Sequence, residues 1–473
     1  MGLGLVQSAI ASSTGSNAVQ AGAHELDGVH LPLYAGLPFA GMLLSIALFP
    51  MLAPRFWHHH YGKIAAGWAL AFLVPFTASS GWQAGIETAT HAVVVEYVPF
   101  IVLLTALYVV AGGIGIRGNL HGTPALNTLL LAIGTGLASI MGTTGAAMLM
   151  IRPVLRANDN RRHRVHVVVF FIFLVANAGG ALTPLGDPPL FLGFLNGVTF
   201  GWTATHLALP MLYMSVVLLA LFFVLDTVFY RASGEQYAAF LDPTPDTHGI
   251  AFEGKRNIPL LVLISGAVLI SGLWRPGVVF EVLGTPLELQ NIVRDVVLLA
   301  VTGVSLAITP AEVRRHNAFN WVPIKEVAKL FAAIFVTIAP VIAILRAGEH
   351  GGLGSVVRLV TDAHGQPVDA MIFWVTGVLS SFLDNAPTYL VFFHAVGGDA
   401  RHLMGDGART LTAISAGAVF MGANTYIGNA PNLMIRSIAE SRGVAMPGFF
   451  GYMVWSGAIL LPVFVVMSML FFR

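Results

Sequence analysis

The stretches "GALTPLGDPP" (residues 180–189) and "GANTYIGNAP" (residues 422–431) decide the fold, because each interrupts a long apolar run in the same way. Five of their ten positions are identical when the sequence is shifted against itself by 242 residues. Proline removes a backbone donor and glycine loosens a helix, so both runs must unwind at these points. Asp187 lies in the first break and Asn429 takes its place in the second. The sequence therefore predicts two related helices, each broken around a polar residue.

The composition indicates a polytopic helical membrane protein. Of the 473 residues, 56% are hydrophobic and 10% are charged, and the mean hydropathy is +0.78. Soluble domains carry about a quarter charged residues, so no large aqueous domain is expected. The absence of cysteine from the sequence excludes disulfides and thiolate catalysis. No basic, aromatic-rich patch indicates binding to nucleic acid.

Hydropathy predicts ten membrane crossings and two re-entrant hairpins. The crossings lie near residues 31–52, 63–80, 88–111, 166–196, 206–230, 257–274, 290–308, 326–346, 410–440 and 447–472. The segments 124–157 and 368–398 are interrupted by "SIMGTTGAAML" and "SSFLDNAPTYL", and each is predicted to be a hairpin. With the N-terminus outside, sixteen basic residues fall in the cytoplasmic loops and seven on the other side of the membrane. Because basic loop residues favour the cytoplasmic side, the sequence predicts this orientation.

An internal repeat divides the chain into two halves. The same offset superposes the hairpin breaks, with Ser139 on Ser381 and Gly142 on Asp384. Each half contains five crossings and one hairpin, and because five is odd the halves should be inverted repeats, as is typical of secondary transporters. The predicted layout is an extracytoplasmic extension (1–30), a first repeat (31–230), a cytoplasmic linker (231–256) and a second repeat (257–473).

The polar residues at the four breaks form the predicted site near the middle of the bilayer. The candidate ion- or substrate-binding residues are Thr143, Thr144, Asn177, Thr183, Asp187, Asp384, Asn385, Thr388, Asn424, Thr425, Asn429 and Asn432. They offer hydroxyl, amide and carboxylate oxygens, which Na⁺ prefers as ligands. A carboxylate inside a membrane is neutralised by a proton or by a cation, one at a time, so Asp187 and Asp384 are candidate Na⁺ ligands.

Structural roles stay open for several of these residues. Asp187 and Asp384 could cap the helices that follow them, and Asn177 could form a hydrogen bond between helices. Glu96 could join a proton path or pair with another helix, and Arg152 could meet an anionic substrate or reach the membrane interface. The run His58–His60 favours an interfacial loop over a metal site.

Two motifs are similar to those of the ion-transporter superfamily, which includes Na⁺/H⁺ antiporters of the NhaD type, arsenite efflux carriers, and citrate and dicarboxylate carriers. "NAGGALTPLGDPP" and "SSFLDNAPTYL" resemble the NhaD-type patterns, and the chain also resembles bacterial proteins labelled putative citrate transport. The resemblance implies a homodimer with a scaffold region and a mobile transport region. It also implies ion binding at Asp187, Asp384, Asn385 and the "NTYIGNAPN" break. The dicarboxylate carriers have Ser-Asn-Thr at both hairpin tips, where this chain has "GTTG" and "DNAP".

The leading hypothesis is a secondary active transporter of a bacterial-type inner membrane, a Na⁺/H⁺ antiporter that works by alternating access. The alternative is a Na⁺-coupled citrate or dicarboxylate carrier, in which Thr143, Thr144 and Thr388 hold the carboxylates. The expected partners are monovalent cations, protons, the lipid bilayer and a second copy of the chain, with citrate in the alternative. Neither function needs a cofactor other than the monovalent cation that is transported or coupled.

An enzyme is not expected. An intramembrane hydrolase could use Asp187 and Asp384 as an acid pair. However, "PLGDPP" has a proline where an aspartyl intramembrane protease needs a glycine, and the sequence contains no His-Glu-x-x-His run.

Overall fold

The computed structural model describes residues 28–117, 120–232, 251–317, 319–362 and 365–473. Within these ranges the regular secondary structure is helical except for two small antiparallel sheets. This confirms an all-α polytopic membrane protein. The sheets pair β1 (Gly115–Arg117) with β2 (Ala251–Glu253), and β3 (Val279–Val282) with β4 (Thr285–Glu288).

The helices follow the order of the predicted crossings and hairpins. The first half contains α1 (Leu37–Leu52), α2 (Pro54–Ser80), α3 (Trp82–His91), α4 (Val98–Ala111), α5 (Pro124–Met141), α6 (Thr143–Ala157), α7 (Val165–Leu174), α8 (Pro188–Leu195) and α9 (Phe200–Ala232). The second half contains α10 (Ile258–Leu273), α11 (Leu289–Ile308), α12 (Ala311–His316), α13 (Val322–Arg346), α14 (Gly354–Val360), α15 (Asp369–Phe382), α16 (Asn385–Ala395), α17 (Ala400–Met404), α18 (Ala408–Met421), α19 (Ala430–Ser441) and α20 (Phe449–Phe471). A π-helical segment, Ala92–Tyr97, joins α3 to α4.

Ten helices in the described part of the chain are long and apolar enough to cross a membrane. Nine of them coincide with predicted crossings. The tenth is α5, which has 18 residues and belongs to the predicted hairpin 124–157. The predicted crossing 410–440 is instead divided into α18, with 14 residues, and α19, with 12. The division occurs because Gly428 and Pro431 interrupt the helix, as the repeat indicated.

The run His58–His60 lies within α2, so the prediction of an interfacial loop is wrong. Helix α2 begins at Pro54, nine residues before the predicted crossing. The Nδ1 atoms of His59 and His60 hydrogen-bond the carbonyl oxygens of Arg55 and Phe56, one turn earlier. These contacts satisfy the polar histidine side chains within the first turns of α2. A hydropathy pattern assigns such polar turns to a loop.

Both predicted hairpins break at the expected residues. Helices α5 and α6 contact each other and are separated by Gly142, whose φ of 80° lies in the left-handed region that favours glycine. Helices α15 and α16 are separated by Leu383 and Asp384. Of the other predicted segments, residues 1–27 of the extension and 233–250 of the linker lie outside the described residues.

The same hydrogen bonds recur at positions 242 residues apart. The Oγ1 atom of Thr183 donates to the carbonyl of Ser139, and that of Thr425 donates to the carbonyl of Ser381, each at 2.5 Å. Each threonine oxygen also accepts a hydrogen bond at 3.2 Å from the amide two residues further on. The two breaks are therefore built alike, which supports the internal repeat.

The two breaks lie deep inside the helical bundle. Helix α7, which leads into the first break, is buried from His166 to Leu174. By contrast, α10 and α11 expose wide apolar faces, with Val262 68% and Val296 59% exposed. The polar residues of the breaks are thus shielded by protein, while the outer helices present the surface that lipid can cover.

Replacing Gly186 with alanine should destabilise the first break. A Cβ atom there would meet the backbone carbonyl of Gly180, which cannot rotate away as a side chain could. We expect a loss of about 1–3 kcal/mol, measured as a lower Tm in detergent. Gly303→Ala is the matched control, because a Cβ atom on α11 at that position meets no neighbour and alanine favours a helix. Equal Tm values for the two variants would contradict the close packing of Gly186 against Gly180.

Candidate functional site

The carboxylate of Asp187 is buried, with 1% of the residue exposed, and receives hydrogen bonds from three side chains. Thr143 Oγ1 donates to Oδ1 at 3.1 Å, Asn385 Nδ2 donates to Oδ2 at 2.5 Å, and Asn429 Nδ2 donates to Oδ1 at 3.4 Å. Among the described residues, no Lys, Arg or His forms an ion pair with it. The negative charge of the carboxylate is therefore stabilised by neutral donors alone. A proton or a cation gains the most binding free energy from a buried charge that has no ionic partner.

Four helix N-termini converge at this carboxylate. Thr143 and Asn385 are the first residues of α6 and α16, while Asp187 and Asn429 directly precede α8 and α19. The N-terminal end of a helix carries a partial positive charge. These ends stabilise negative charge in the site without a basic side chain.

The capping alternative is wrong for Asp187 and correct for Asp384. The side chain of Asp187 makes no capping hydrogen bond to α8, because Pro188 and Pro189 have no amide hydrogen and the amide of Leu190 donates to the backbone carbonyl of Asp187 at 3.1 Å. Asp384 Oδ1 accepts a hydrogen bond from the amide of Ala386 at 3.2 Å and so caps α16. Asp384 directly precedes Asn385, and it is the side chain of Asn385 that contacts Asp187.

A chain of asparagine side chains connects the two breaks. Asn177 Nδ2 donates to Asn432 Oδ1 at 2.9 Å, and Asn429 Nδ2 donates to Asn177 Oδ1 at 3.2 Å. Asn432 Nδ2 in turn donates to the carbonyl of Thr425 at 2.9 Å. Asn177 therefore forms hydrogen bonds between helices and also lies one side chain away from Asp187.

The other predicted residues lie around this cluster without contacting Asp187. Thr183, Thr425 and Asn424 bind Ser139 or Ser381, Thr388 Oγ1 donates to the carbonyl of Asp384 at 3.0 Å, and Thr144 lines the adjacent cavity. Most of them satisfy backbone groups at the breaks. Their role in ion or substrate binding stays a prediction.

Two serines that the sequence analysis did not include among the site residues hold the breaks in place. Ser139 Oγ donates to the carbonyl of Gly179 at 2.5 Å and accepts from the amide of Leu182 at 3.1 Å. Ser381 Oγ contacts the carbonyl of Met421 at 3.1 Å. The repeat offset superposes these two serines, and that correspondence was the signal that could have identified them.

A cavity beside Asp187 extends towards the end of α4 and the start of α13. Its lining includes Thr143, Thr144 and Asp187, and it reaches Tyr108 near the end of α4 and Pro323 at the start of α13. Most of the other lining residues are apolar, and none of those in the described ranges is Lys, Arg or His. The charge bias predicts that this end faces the cytoplasm, and this orientation stays a prediction.

One buried oxygen near Asp187 has no hydrogen-bond donor. Asn385 donates through Nδ2 to the carboxylate, but its Oδ1 atom is buried and lacks a partner in the described part of the chain. Buried acceptors of this kind are uncommon and need an explanation. Asp187, Thr143 Oγ1 and Asn385 Oδ1 together offer three kinds of oxygen that suit a hard monovalent cation.

Glu96 and Arg152 lie apart from this cluster. Glu96 is in the π-helical segment, and its Oε1 atom lies 4.0 Å from Nδ1 of His91 on the preceding turn. Arg152 Nη1 donates to the carbonyl of Met148 in its own helix at 3.3 Å. Neither residue is part of the hydrogen-bonded network around Asp187.

Comparisons with known proteins place the chain among membrane transporters. The model of a family described as "Putative citrate transport" matches residues 28–472. The chain is 27% identical over 364 residues to uncharacterized transporters of Mycobacterium tuberculosis and Mycobacterium bovis, covering 74% of this chain and 77% of each relative. It is 24% identical over 330 residues to a 46 kDa membrane protein of Mycobacterium leprae, covering 68% of this chain and 71% of that protein.

Replacing Thr183 or Thr425 with valine should destabilise the protein to a similar extent. Each variant keeps the side-chain shape but leaves a buried carbonyl and a backbone amide without their partner, which costs about 1–3 kcal/mol. Thermal unfolding in detergent measures the effect. Thr205→Val is the control, because that hydroxyl is exposed and only bonds within its own helix and to the adjacent His206. A large loss at one site only would contradict the equivalence of the two breaks.

Proposed function

We propose a transport mechanism from one premise, that the chain belongs to the family described as putative citrate transport. Two of its relatives are named transporters and a third is named a membrane protein. The protein would be a secondary active transporter in which Asp187 binds a proton and Na⁺ in turn. The observation that carries this proposal is the buried carboxylate of Asp187, held by neutral donors only.

Exchange would follow from the cost of a bare charge in the membrane. With neither ligand bound, the Asp187 carboxylate is ionised in a site shielded from water, and movement of the site across the bilayer is unfavourable. Either a proton on Oδ1 or Oδ2, or Na⁺ bound to the carboxylate, removes that barrier. Because one carboxylate binds the two ligands one at a time, the carrier would return with the other ion, which produces Na⁺/H⁺ antiport.

The residues around Asp187 would supply the remaining ligands of the cation. Thr143 Oγ1 can turn its lone pairs towards Na⁺, and Asn385 Oδ1 is the buried acceptor without a donor. Asn429 would keep one carboxylate oxygen oriented through its Nδ2 atom. Asp384, next to Asn385, adds a second negative charge that would strengthen cation binding or form a second, weaker site.

A Na⁺-coupled citrate or dicarboxylate carrier is the second candidate. The family description favours it, and so do the four helix N-termini, since such ends bind anionic groups of substrates in broken-helix transporters. The cavity lining contains no basic residue in the described ranges, so Na⁺ at Asp187 would have to supply the positive charge. In this mechanism Thr143, Thr144 and Thr388 would contact the carboxylates.

The location and assembly belong to the same proposal. We place the protein in a bacterial-type inner membrane with its N-terminus outside, because this orientation puts most basic loop residues in the cytoplasm. The inverted orientation of the repeats and a homodimer with a mobile transport region are implied by the resemblance to ion transporters.

Asp187→Asn should abolish Na⁺/H⁺ exchange, and Asp384→Asn should weaken it, while the protein still folds. Asparagine cannot take up a proton, but it preserves the shape of the Asp187 site and is as good a helix cap as aspartate at position 384. Exchange is measured in proteoliposomes, and folding by Tm and gel filtration. Glu349→Gln, in an exposed turn, is the control for removal of an acid. Exchange retained in Asp187→Asn would exclude the proposed mechanism.

Cation and citrate transport can be separated in one assay. Proteoliposomes that contain a pH-sensitive dye are given an imposed pH gradient and then Na⁺, Li⁺ or K⁺, followed by citrate together with Na⁺. We expect Na⁺ alone to dissipate the gradient, because Asp187 releases its proton when it binds the cation. No response to cations combined with Na⁺-dependent citrate uptake would assign the protein to the anion carriers.

A further inference from the structure

An apolar groove runs along the outer surface between α10 and α11. On α10 its lining residues recur three or four positions apart from Pro259 to Ser271, which is one face of a helix. On α11 it is lined from Gln290 to Val297. At 1.5 Å per residue the α10 part is about 18 Å long, and one leaflet of a bilayer core is about 15 Å thick. The groove is therefore long enough to hold one acyl chain.

Arg294 is the only charged residue among the described residues that line this groove. The residue is 2% exposed, although its helix is one of the outer ones. Nε donates to Asp295 Oδ1 at 2.8 Å and Nη1 donates to Asn291 Oδ1 at 3.1 Å. Nη2 is buried and has no acceptor among the described residues, and an unsatisfied donor on a charged group is costly. The guanidinium thus needs one more acceptor.

The same arginine also lines a second, partly polar cavity. Arg294, Gln290 and Ser271 are shared between the groove and this cavity, which Arg275 also lines. The cavity lining contains two acids, Glu288 and Asp295, of which Asp295 is already paired with Arg294. An apolar groove and a polar cavity therefore meet at one buried arginine. This is the shape of a site for an amphiphile with an anionic head.

We propose that the α10–α11 groove binds an anionic phospholipid. Its phosphate accepts a hydrogen bond from Nη2 of Arg294, its polar head occupies the cavity near Arg275, and one acyl chain lies along α10. Arginine binds phosphate with strong, charge-assisted hydrogen bonds. Lipid is the occupant favoured over a second copy of the chain, because a single buried cation in an apolar groove has no matching acid on the exposed groove face to pair with in a symmetric contact.

Gly266 allows the acyl-chain part of the site to be tested independently of Arg294. A Cβ atom at Gly266 would meet no neighbouring atom, so Gly266→Leu fills the groove without a clash inside the protein. Gly303 on α11 is equally open and does not line the groove, which makes Gly303→Leu the matched control. For the head group, Arg401→Gln is the control for Arg294→Gln, because Arg401 is exposed and lines neither the groove nor the cavity.

The experiment is native mass spectrometry of the full-length protein released from detergent. Three probes are added separately: phosphatidylglycerol, phosphatidylcholine with the same acyl chains, and glycerol 3-phosphate. We expect phosphatidylglycerol to be retained roughly tenfold better than phosphatidylcholine, and Arg294→Gln to remove this preference while Arg401→Gln changes it little. Gly266→Leu should lower the retention of both lipids, and Gly303→Leu should not.

Three results would overturn the proposal. A preference for phosphatidylglycerol that persists in Arg294→Gln would show that the arginine is not the head-group site. Unchanged lipid retention in Gly266→Leu together with a shift from dimer to monomer would show that a second copy covers the groove. Binding of glycerol 3-phosphate as strongly as phosphatidylglycerol would show a site for a free anion. The Gly266→Leu arm decides the question even if Arg294→Gln does not fold.

Discussion

The absence of an ionic partner for the buried carboxylate of Asp187 is the constraint on which the candidate site depends. Another buried acid in the same protein shows the contrast, since Asp226 contacts Arg161 at 2.6 Å and His166 at 2.7 Å. That acid is already neutralised and links helices. Asp187 instead faces hydroxyl and amide groups and four helix N-termini, which orient the charge without cancelling it. Asp226 is suited to a structural role, and Asp187 is suited to the reversible binding of a proton or a cation.

Broken helices are possible in this interior only because their freed backbone groups find partners. Serine and threonine side chains supply these partners in both halves, and they do so at equivalent positions, as Ser139 with Thr183 and Ser381 with Thr425 show. This shared framework leaves the charged positions free to differ between the halves. Asp187 corresponds to Asn429 across the repeat, so one break carries the carboxylate and the other supplies an amide that hydrogen-bonds to it. The symmetric framework thus produces an asymmetric site.

The protein contains two polar sites that differ in their location and in the sign of their charge. The Asp187 cavity is enclosed by helices of both halves and has no basic residue in the described part of its lining, as expected for a site that binds cations. Arg294 is instead placed where α11 meets the apolar exterior, with one guanidinium nitrogen unsatisfied. Phe191 lies between these regions, since it lines the Asp187 cavity and its ring centroid is 5.9 Å from the Arg294 guanidinium. Phe191 therefore connects the surroundings of Arg294 with the lining of the Asp187 cavity.

The sequence by itself determined the fold class, nine of the ten long apolar helices and the positions of all four breaks, because hydropathy, proline and glycine act on neighbouring residues. It also indicated Asp187, since an acid in an apolar run is costly wherever the helix packs. Only the tertiary structure decided that Asp384 caps its own helix, that Asn385 contacts Asp187 across 198 residues of sequence, and that Ser139 and Ser381 support the breaks. These contacts depend on how distant segments pack against each other, and a one-dimensional pattern contains no distances between such segments.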